Sequence, residues 1–181
     1  MDTDLSKYTK GNYSVGKNKI VQLLWYMVNH TVFMSAFFVS KGLKRFLLRL
    51  FGAKVGKCVV IKPCVNIKFP WRLSVGENSW IGEGVWIDNH DNIIIGKNCC
   101  ISQGVLLETG SHNYKSLDFK LITAPITIHD GAWICAKSVV LPKTEIGKNV
   151  VLSASSVIQG NTEEGFIYRG NPAIAIKKRE Q

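Results

Sequence analysis

The sequence predicts an all-β solenoid, a parallel β-helix of about five coils with a triangular cross-section. An aliphatic residue returns every six positions, and nearly every third return is displaced by two. Six residues supply one short strand and three strands complete one turn, so each recurring residue marks a side chain that points into the prism. These positions are 55, 61, 67, 75, 81, 87, 95, 101, 107, 128, 134, 140, 146, 152 and 158.

Two further patterns keep the same phase. Gly-x-Asn follows the aliphatic position at 76–78, 96–98 and 147–149, and both residue types tolerate the positive φ that a bend in the chain needs. Small residues, which suit a narrow interior, recur four places after the aliphatic ones. They are Val59, Val65, Ser79, Val85, Val105, Ala132, Ser138, Thr144, Val150 and Ser156.

The 181 residues, 46% of them apolar, predict one domain with a continuous core. We expect an N-terminal arm with an apolar and basic helical segment at 1–54, the β-helix at 55–163 and a C-terminal segment at 164–181. The five cysteines form no Cys-x-x-Cys pair, and the N-terminus has no apolar run typical of a cleaved signal. We therefore expect reduced thiols in a cytoplasmic protein, at the inner face of the cytoplasmic membrane if the arm binds lipid.

Charge is unevenly distributed along the chain. The net charge is +10, and residues 41–72 hold nine Lys and Arg and no acidic residue. Such a stretch is typical of a solvated basic face, of a surface for anionic lipid or of a site for a phosphorylated substrate. Nucleic acid is disfavoured as a partner, because no aromatic-interleaved basic groove accompanies the charge.

Residues 20–40 contain no Asp, Glu, Lys or Arg, which meets the length criterion for a membrane span. Gln22, Asn29 and Ser40 interrupt this segment on one helical face, and positive charge flanks both ends. Helices that cap the open end of the prism or pack on a neighbouring subunit are favoured, and peripheral membrane contact through residues 20–50 stays open. A second apolar stripe comprises Leu43, Phe46, Leu47 and Leu50.

The repeat is interrupted once at length, from about residue 108 to 127. Insertions project from a solenoid surface and commonly form its binding face, so an active site is expected there. His112 lies where the excursion begins. His30 is expected to pack in the apolar segment, and His129 stands where other coils carry a corner glycine.

Several motifs resemble the sugar and xenobiotic acetyltransferases of the hexapeptide-repeat superfamily. Thr109-Gly110-Ser111-His112 is followed by Pro125, Ile126 and Ile128, and Gly170-Asn171-Pro172-Ala173 closes the chain's last coil. The runs FLLRLFGAKVGKCVVIKP, FPWRLSVG and TGSHNY resemble the colanic acid and exopolysaccharide O-acetyltransferase branch. The resemblance implies a left-handed β-helix and a homotrimer with active sites between subunits.

The same resemblance implies direct transfer of acetyl from acetyl-CoA to a sugar hydroxyl, free or lipid-linked, with His112 as general base. A backbone N–H of Ala136 would bind the oxyanion, and no metal is expected. Acceptor-site candidates are Asp88, Asn89, His90 and Asp91; Asp88, Asp91 or a backbone carbonyl would orient His112. Donor-site candidates are Trp133, Ala136, Ser153, Ala154, Ser155, Gly170, Asn171, Pro172, Lys177, Lys178 and Arg179.

Two other functions remain open at this point. An acetyltransferase of a soluble sugar or xenobiotic would share every catalytic residue and differ in the acceptor pocket. A non-enzymatic β-helix scaffold would bind no coenzyme A. The sequence specifies neither the sugar, nor the hydroxyl, nor the length of the acyl chain.

Overall fold

A computed structural model describes residues 4–180 and shows a triangular parallel β-helix that follows two short helices. Strands are numbered in chain order, and each turn passes through three faces. Face 1 holds β1 (Lys54–Val55), β4 (Leu73–Val75), β7 (Ile93–Ile95), β12 (Ile126–Ile128) and β15 (Thr144–Ile146). Face 2 holds β2 (Val60–Ile61), β5 (Trp80–Ile81), β8 (Cys100–Ile101), β13 (Trp133–Ile134), β16 (Val151–Leu152), β18 (Phe166–Gly170) and β19 (Ala173–Lys178). Face 3 holds β3 (Asn66–Ile67), β6 (Trp86–Asp88), β9 (Leu106–Glu108), β14 (Val139–Val140) and β17 (Val157–Ile158).

The number of coils is slightly larger than predicted. Five turns are complete, and a sixth begins with the parallel bridge from Glu145 to Asn161 and continues as β18, which pairs with β16. The chain then reverses, and β19 pairs with β18 in the antiparallel sense. The predicted fold class, a parallel-strand solenoid with a helical N-terminal segment, is confirmed.

The interior follows the predicted periodicity. All fifteen aliphatic positions are buried, and so are the small residues four places later. Cys99 occupies one of those small positions, between Ser79 and Ala132 of the adjoining coils, and is buried as a free thiol. The six-residue repeat therefore identifies the core without any other information.

The corners between faces 1 and 2 have the predicted backbone conformation. Asn78, Asn98 and Asn149 adopt φ of 59°, 53° and 56°, which is the left-handed region. His129 lies at the equivalent corner of the fourth coil, where Gly131 supplies the positive φ of 74°. The imidazole of His129 contacts Glu145 at 2.7 Å on the surface.

Two helices precede the coils. α1 (Lys19–Val28) begins at Asn18, whose side chain accepts from the Val21 N–H at 2.9 Å, and continues as a π-helical turn over Asn29–Phe33. α2 (Lys41–Leu50) begins at Ser40, which accepts from the Leu43 N–H. Within residues 4–180 no helix is long and apolar enough to cross a bilayer.

The N-terminal helices cap the first turn, which we call the base of the prism. In the interior, strand carbonyls such as that of Val75 accept an N–H from the turn below, but the first turn has none below it. Side chains take this role. Arg49 donates to Val55 O at 2.7 Å, Arg45 to Val59 O at 2.9 Å, Trp25 Nε1 to Ile67 O at 2.8 Å and Lys44 to Lys62 O at 2.9 Å.

The excursion between β9 and β12 is a hairpin of β10 (Gly110–His112) and β11 (Leu121–Thr123). The N-terminal arm crosses its tip. Thr9 O accepts from Leu121 N–H at 3.3 Å, and the Thr9 hydroxyl donates to Asp118 at 2.9 Å. The arm thus braces the loop that carries His112.

Candidate active site

A cavity of about 680 Å³ lies at the edge where face 3 meets face 1. The hairpin forms one wall, and the turns that follow β6, β9, β14 and β17 form the rest. Its polar lining includes Asp88, His90, Glu108, His112, Lys143 and Gln159. A concave site of this volume with a few converging polar groups is typical of a small-molecule pocket.

His112 is held by the backbone of its own hairpin. Its Nδ1 lies 2.9 Å from the carbonyl oxygen of Phe119, and its ring stacks on that of Phe119 with centroids 4.4 Å apart. A carbonyl only accepts, so Nδ1 carries the proton and Nε2 of the neutral ring has a free lone pair. Of the three groups considered for orienting His112, the structure places the backbone carbonyl in contact.

His90 packs directly on the hairpin. A Cβ at Gly110 would lie only 2.9 Å from Cδ2 of His90, so the glycine of the TGSH motif permits the close approach. The threonine of the motif fixes the neighbouring turn: the Thr109 hydroxyl donates to Asp88 O at 3.0 Å and accepts from Asp91 N–H at 2.9 Å. The motif therefore joins the two histidine-bearing segments.

The protonation state of His90 follows from its neighbours. Nε2 lies 2.7 Å from the Lys68 ammonium, which only donates, so Nδ1 is the protonated nitrogen and donates to the Tyr13 hydroxyl at 3.1 Å. Burial, and then the nearby Lys68 charge, lower the pKa of His90 below 6.5. His90 is accordingly neutral at neutral pH.

Two carboxylates line the cavity together. Asp88 and Glu108 are register partners on β6 and β9. The Lys68 ammonium lies 2.8 Å from Asp88 Oδ1. The two groups form an ion pair, but their angles do not meet those of a hydrogen bond. Burial, and then the Asp88 charge, raise the pKa of Glu108. Sequence reasoning missed Glu108, although it follows Asp88 by one coil of twenty residues.

The remaining two acceptor-site candidates shape the edge and do not line this cavity. Asn89 is fully buried, with its side chain bonded to the backbone N–H and C=O of Phe69 at 2.9 and 2.6 Å. The carboxylate of Asp91 accepts from the Asn92 N–H at 2.7 Å and from the Thr123 hydroxyl at 3.4 Å. Both residues fix the corner that positions His90.

The donor-site candidates gather mainly at a different edge, where face 2 meets face 3. Ala136 and the Ser153-Ala154-Ser155 turn are stacked there, and the Ser155 N–H donates to Ala136 O at 3.0 Å. The turn at Gly170-Asn171-Pro172 reaches the same edge, since the Gly170 N–H donates to Ser156 Oγ at 3.0 Å. Within residues 4–180 no group accepts from the Ala136 N–H, so it is available to a ligand.

Trp133 projects outward from face 2, half exposed, and its Nε1 donates to Ser102 Oγ at 2.9 Å. The three C-terminal basic residues lie at the far end of β19. Arg179 donates to the carbonyl oxygens of Gly131 and Asn149, at the edge between faces 1 and 2. Lys178 lies over the Phe166 ring and Lys177 near Glu180. The structure thus separates them from Ala136.

In a single chain, face 3 lies between the donor-site candidates and the cavity of His112. In the part of the chain that the structure describes, no donor-site candidate lines the cavity of His112. Across the same residues, no three His, Cys, Asp or Glu side chains converge as metal ligands would.

A β-helix of six-residue repeats with one histidine-bearing excursion defines the class of hexapeptide-repeat transferases. Residues 125–160 match the family model described as bacterial transferase hexapeptide (six repeats). The chain is 38% identical over 176 residues, 97% of each protein, to the putative colanic acid biosynthesis acetyltransferase WcaF of Escherichia coli K12. It belongs to the hexapeptide-repeat acetyltransferase family.

More distant relatives share the architecture. The galactoside O-acetyltransferase of Escherichia coli K12 is 26% identical over 73% of this chain and 66% of its own length. A hexapeptide-repeat acetyltransferase from Vibrio cholerae O1 biovar eltor, solved with acetyl coenzyme A, superposes with a TM-score of 0.84 over 97% of each chain at 19% identity. A galactoside acetyltransferase in complex with coenzyme A gives a TM-score of 0.77 at 18% identity, over 99% of this chain and 92% of its own.

Proposed function

We propose that this protein is a cytoplasmic, acetyl-CoA-dependent O-acetyltransferase that acts on a sugar hydroxyl in exopolysaccharide biosynthesis of the colanic acid type. His112 is its general base. The observation that carries the proposal is the 2.9 Å contact from Nδ1 of His112 to Phe119 O, because it leaves Nε2 unprotonated beside the cavity. The similarity over nearly the whole length to the putative colanic acid biosynthesis acetyltransferase supports a role in exopolysaccharide biosynthesis.

The chemistry is a direct transfer. Nε2 of His112 takes the proton of the sugar hydroxyl while the hydroxyl oxygen forms a bond to the thioester carbonyl carbon. The Ala136 N–H donates to the resulting oxyanion, and collapse of the tetrahedral intermediate breaks the C–S bond. The coenzyme A thiolate leaves with the proton from the imidazolium. Proton transfer contributes about 10²–10⁴-fold and the alignment of the two substrates much of the rest.

The acceptor pocket suits a neutral carbohydrate. Asp88 and Glu108 offer carboxylate oxygens that accept from sugar hydroxyls, and neutral His90 lies between them and the hairpin. Lys68 balances the charge of Asp88. The cavity of about 680 Å³ is large enough for a sugar of the repeat unit, and the rest of that unit, free or lipid-linked, would extend outside it.

The donor would lie along the edge that carries Ala136, Ser153, Ala154, Ser155 and the Gly170-Asn171-Pro172 turn, beside Trp133. Because this edge and the His112 cavity are separated in one chain, a complete site needs two subunits. A homotrimer, in which each subunit offers its donor edge to the cavity of the next, completes three sites with one kind of interface. Lys177 and Lys178 remain candidates for the coenzyme A phosphates, whereas Arg179 already bonds two backbone carbonyls.

Replacement of the base tests this function. His112→Asn and His112→Ala should lower kcat by about 10²–10⁴-fold, with the Kd for coenzyme A by calorimetry changed by less than about twofold. His30→Asn is the matched control, since His30 also bonds a backbone carbonyl, Tyr26 O at 2.9 Å, but lies exposed in the π-helical turn that continues α1. Unchanged kcat in His112→Asn would remove the base assignment.

A free sugar or glycoside is the second candidate acceptor, and the similarity to the galactoside O-acetyltransferase supports it. The two acceptors are distinguished by kcat/KM on a simple galactoside and on a lipid-linked oligosaccharide. Preference for the galactoside by an order of magnitude or more would assign the soluble acceptor.

A further inference from the structure

Helix α2 turns three cationic residues as well as apolar Leu47 and Leu48 toward the protein. Its cationic residues face the protein: Lys44 is fully buried, and Arg45 and Arg49 donate to carbonyls of the base. Its apolar residues Phe46 and Leu50 face outward, 59% and 66% exposed. Leu48 is buried in the core, so the helix is anchored by one apolar edge, and a second edge at Leu43, Phe46 and Leu50 is left free for another surface.

Exposed apolar side chains also lie on α1 and in the linker between the two helices. On α1 the outward residues recur at i, i+3, i+4 and i+7, a single helical stripe. In the linker between the helices Phe37 is 96% exposed. We call the whole surface the apolar base; it comprises Ile20, Leu23, Leu24, Met27, Phe37, Val39, Leu43, Phe46 and Leu50. Large apolar side chains exposed in this number on consecutive segments of the chain indicate an interaction site.

The charge around the apolar base is positive throughout. Residues 5–76 contain 13 Lys and Arg and no Asp or Glu. The first turn exposes Lys54, Lys57 and Lys62 beside α2, and Lys17 and Lys19 flank the start of α1. A second copy docked base to base would bring the same positive charge against this surface and be repelled. An anionic lipid bilayer matches both the charge and the apolar side chains.

We propose that the apolar base docks on the surface of an anionic membrane, with the side chains of Phe37, Phe46 and Leu50 in the headgroup and acyl boundary and the flanking lysines against lipid phosphates. The coils then project from the membrane. This inference does not depend on the acetyl transfer, since none of these residues belongs to the cavity or the donor edge.

Vesicle flotation of the full chain tests the docking. The protein should float with vesicles containing about 30% phosphatidylglycerol and far less with pure phosphatidylcholine, and added salt should release part of it. Phe46→Ser/Leu50→Ser should lower the partition coefficient at least about tenfold, because two large apolar side chains are removed. Lys54→Gln/Lys57→Gln/Lys62→Gln should lower binding to the anionic vesicles and reduce its salt dependence.

Two controls separate docking from folding and from self-association. Ile174→Ser/Ile176→Ser makes the same change at exposed positions of β19, at the opposite end of face 2, and should leave flotation unchanged. Phe37→Ser changes a linker position outside any helix and should weaken flotation with an unchanged melting temperature. Equal flotation of wild type and Phe46→Ser/Leu50→Ser overturns the proposal. If wild type does not bind vesicles and Phe46→Ser/Leu50→Ser forms an oligomer of fewer subunits than wild type, the surface is a contact between copies of this chain.

Discussion

The Tyr13 hydroxyl accepts a 3.1 Å hydrogen bond from Nδ1 of His90, which lies 77 residues further along the chain. Arg72 also donates to this hydroxyl, at 3.0 Å, and its guanidinium lies over the Tyr13 ring. The N-terminal arm therefore fixes the tautomer and the orientation of a histidine that lines the acceptor cavity. Tyr13 acts as a positioning residue for the acceptor side.

Tyr13→Phe should raise the acceptor KM by about three- to tenfold, the effect of one hydrogen bond of about 1 kcal/mol, with the donor KM unchanged. Steady-state kinetics with each substrate varied in turn measures both. Tyr8→Phe is the control, because it keeps the ring that lies 5.8 Å from His112 and removes only the hydroxyl. An unchanged acceptor KM in Tyr13→Phe contradicts the positioning role.

Glu108→Gln should raise the melting temperature at pH 7 while it weakens acceptor binding. Burial and the Asp88 charge raise the folded-state pKa of Glu108 above 4.5, so the folded state binds the proton more tightly than the unfolded state. The favourable contribution of the protonated group is present below pH 4.5 and is lost as pH rises through the folded-state pKa. The difference between variant and wild type should therefore vanish on acidification.

Melting curves from pH 4 to pH 7 and acceptor KM values check the two effects of Glu108→Gln together. Glu145→Gln is the control on the outer face, where Glu145 contacts His129. Its acceptor KM should equal that of wild type. A lower melting temperature of Glu108→Gln than of wild type at pH 7 would contradict the raised pKa of Glu108.

Ala136→Pro should abolish the proposed oxyanion donor without damage to the fold. Ala136 precedes Lys137, whose φ is 59°, and Pro63 occupies the equivalent turn position before Cys64, whose φ is 58°. The equivalent turn of the first coil therefore already contains a proline, so the turn at Ala136 should accept one. Loss of one oxyanion-hole donor should reduce kcat by about 10²–10³-fold.

Gln103→Pro is the matched control for Ala136→Pro. Gln103 holds the same turn position one coil earlier, before Gly104 with its φ of 67°, and is not a donor-site candidate. Both variants should melt at or slightly above the wild-type temperature, because proline restricts the unfolded chain. A wild-type kcat in Ala136→Pro would exclude this N–H from catalysis.

Mixed oligomers test whether neighbouring subunits share a site. His112→Ala and Ala136→Pro subunits, unfolded and refolded together in equal amounts, should regain about a quarter of wild-type activity if assembly is random and each site takes its base and its oxyanion donor from different subunits. Each variant refolded alone should keep no more than about 1% of wild-type activity. Failure of the mixture, with trimers confirmed by sedimentation, would place both groups in one chain.

The sequence predicts the coils and corners well because each is local. Each six-residue repeat has the same pattern of buried residues, and Asn78 and Gly131 supply the positive φ that their own turns need. The contact of Tyr13 with His90 is different, since an irregular arm has no period that links it to a site 77 residues away. The sequence also could not show which of residues 88–91 line the acceptor cavity. That depends on the conformation of the corner, which points the side chain of Asn89 inward and that of His90 toward the cavity. The contacts of α2 could not be predicted either, because they depend on unpaired carbonyls at the base, which accept from Lys44, Arg45 and Arg49. Leu48 enters the core, whereas Phe46 stays exposed.

The base cap has a consequence for the size of the molecule. A bare first turn would present a row of carbonyl acceptors to which the last coil of another copy could pair, and copies would add end to end as a filament. Arg45, Arg49 and Trp25 occupy those acceptors at one end, and the reversed strand β19 covers face 2 at the other. With both ends covered in this way, the solenoid has a fixed length and end-to-end polymerisation is disfavoured.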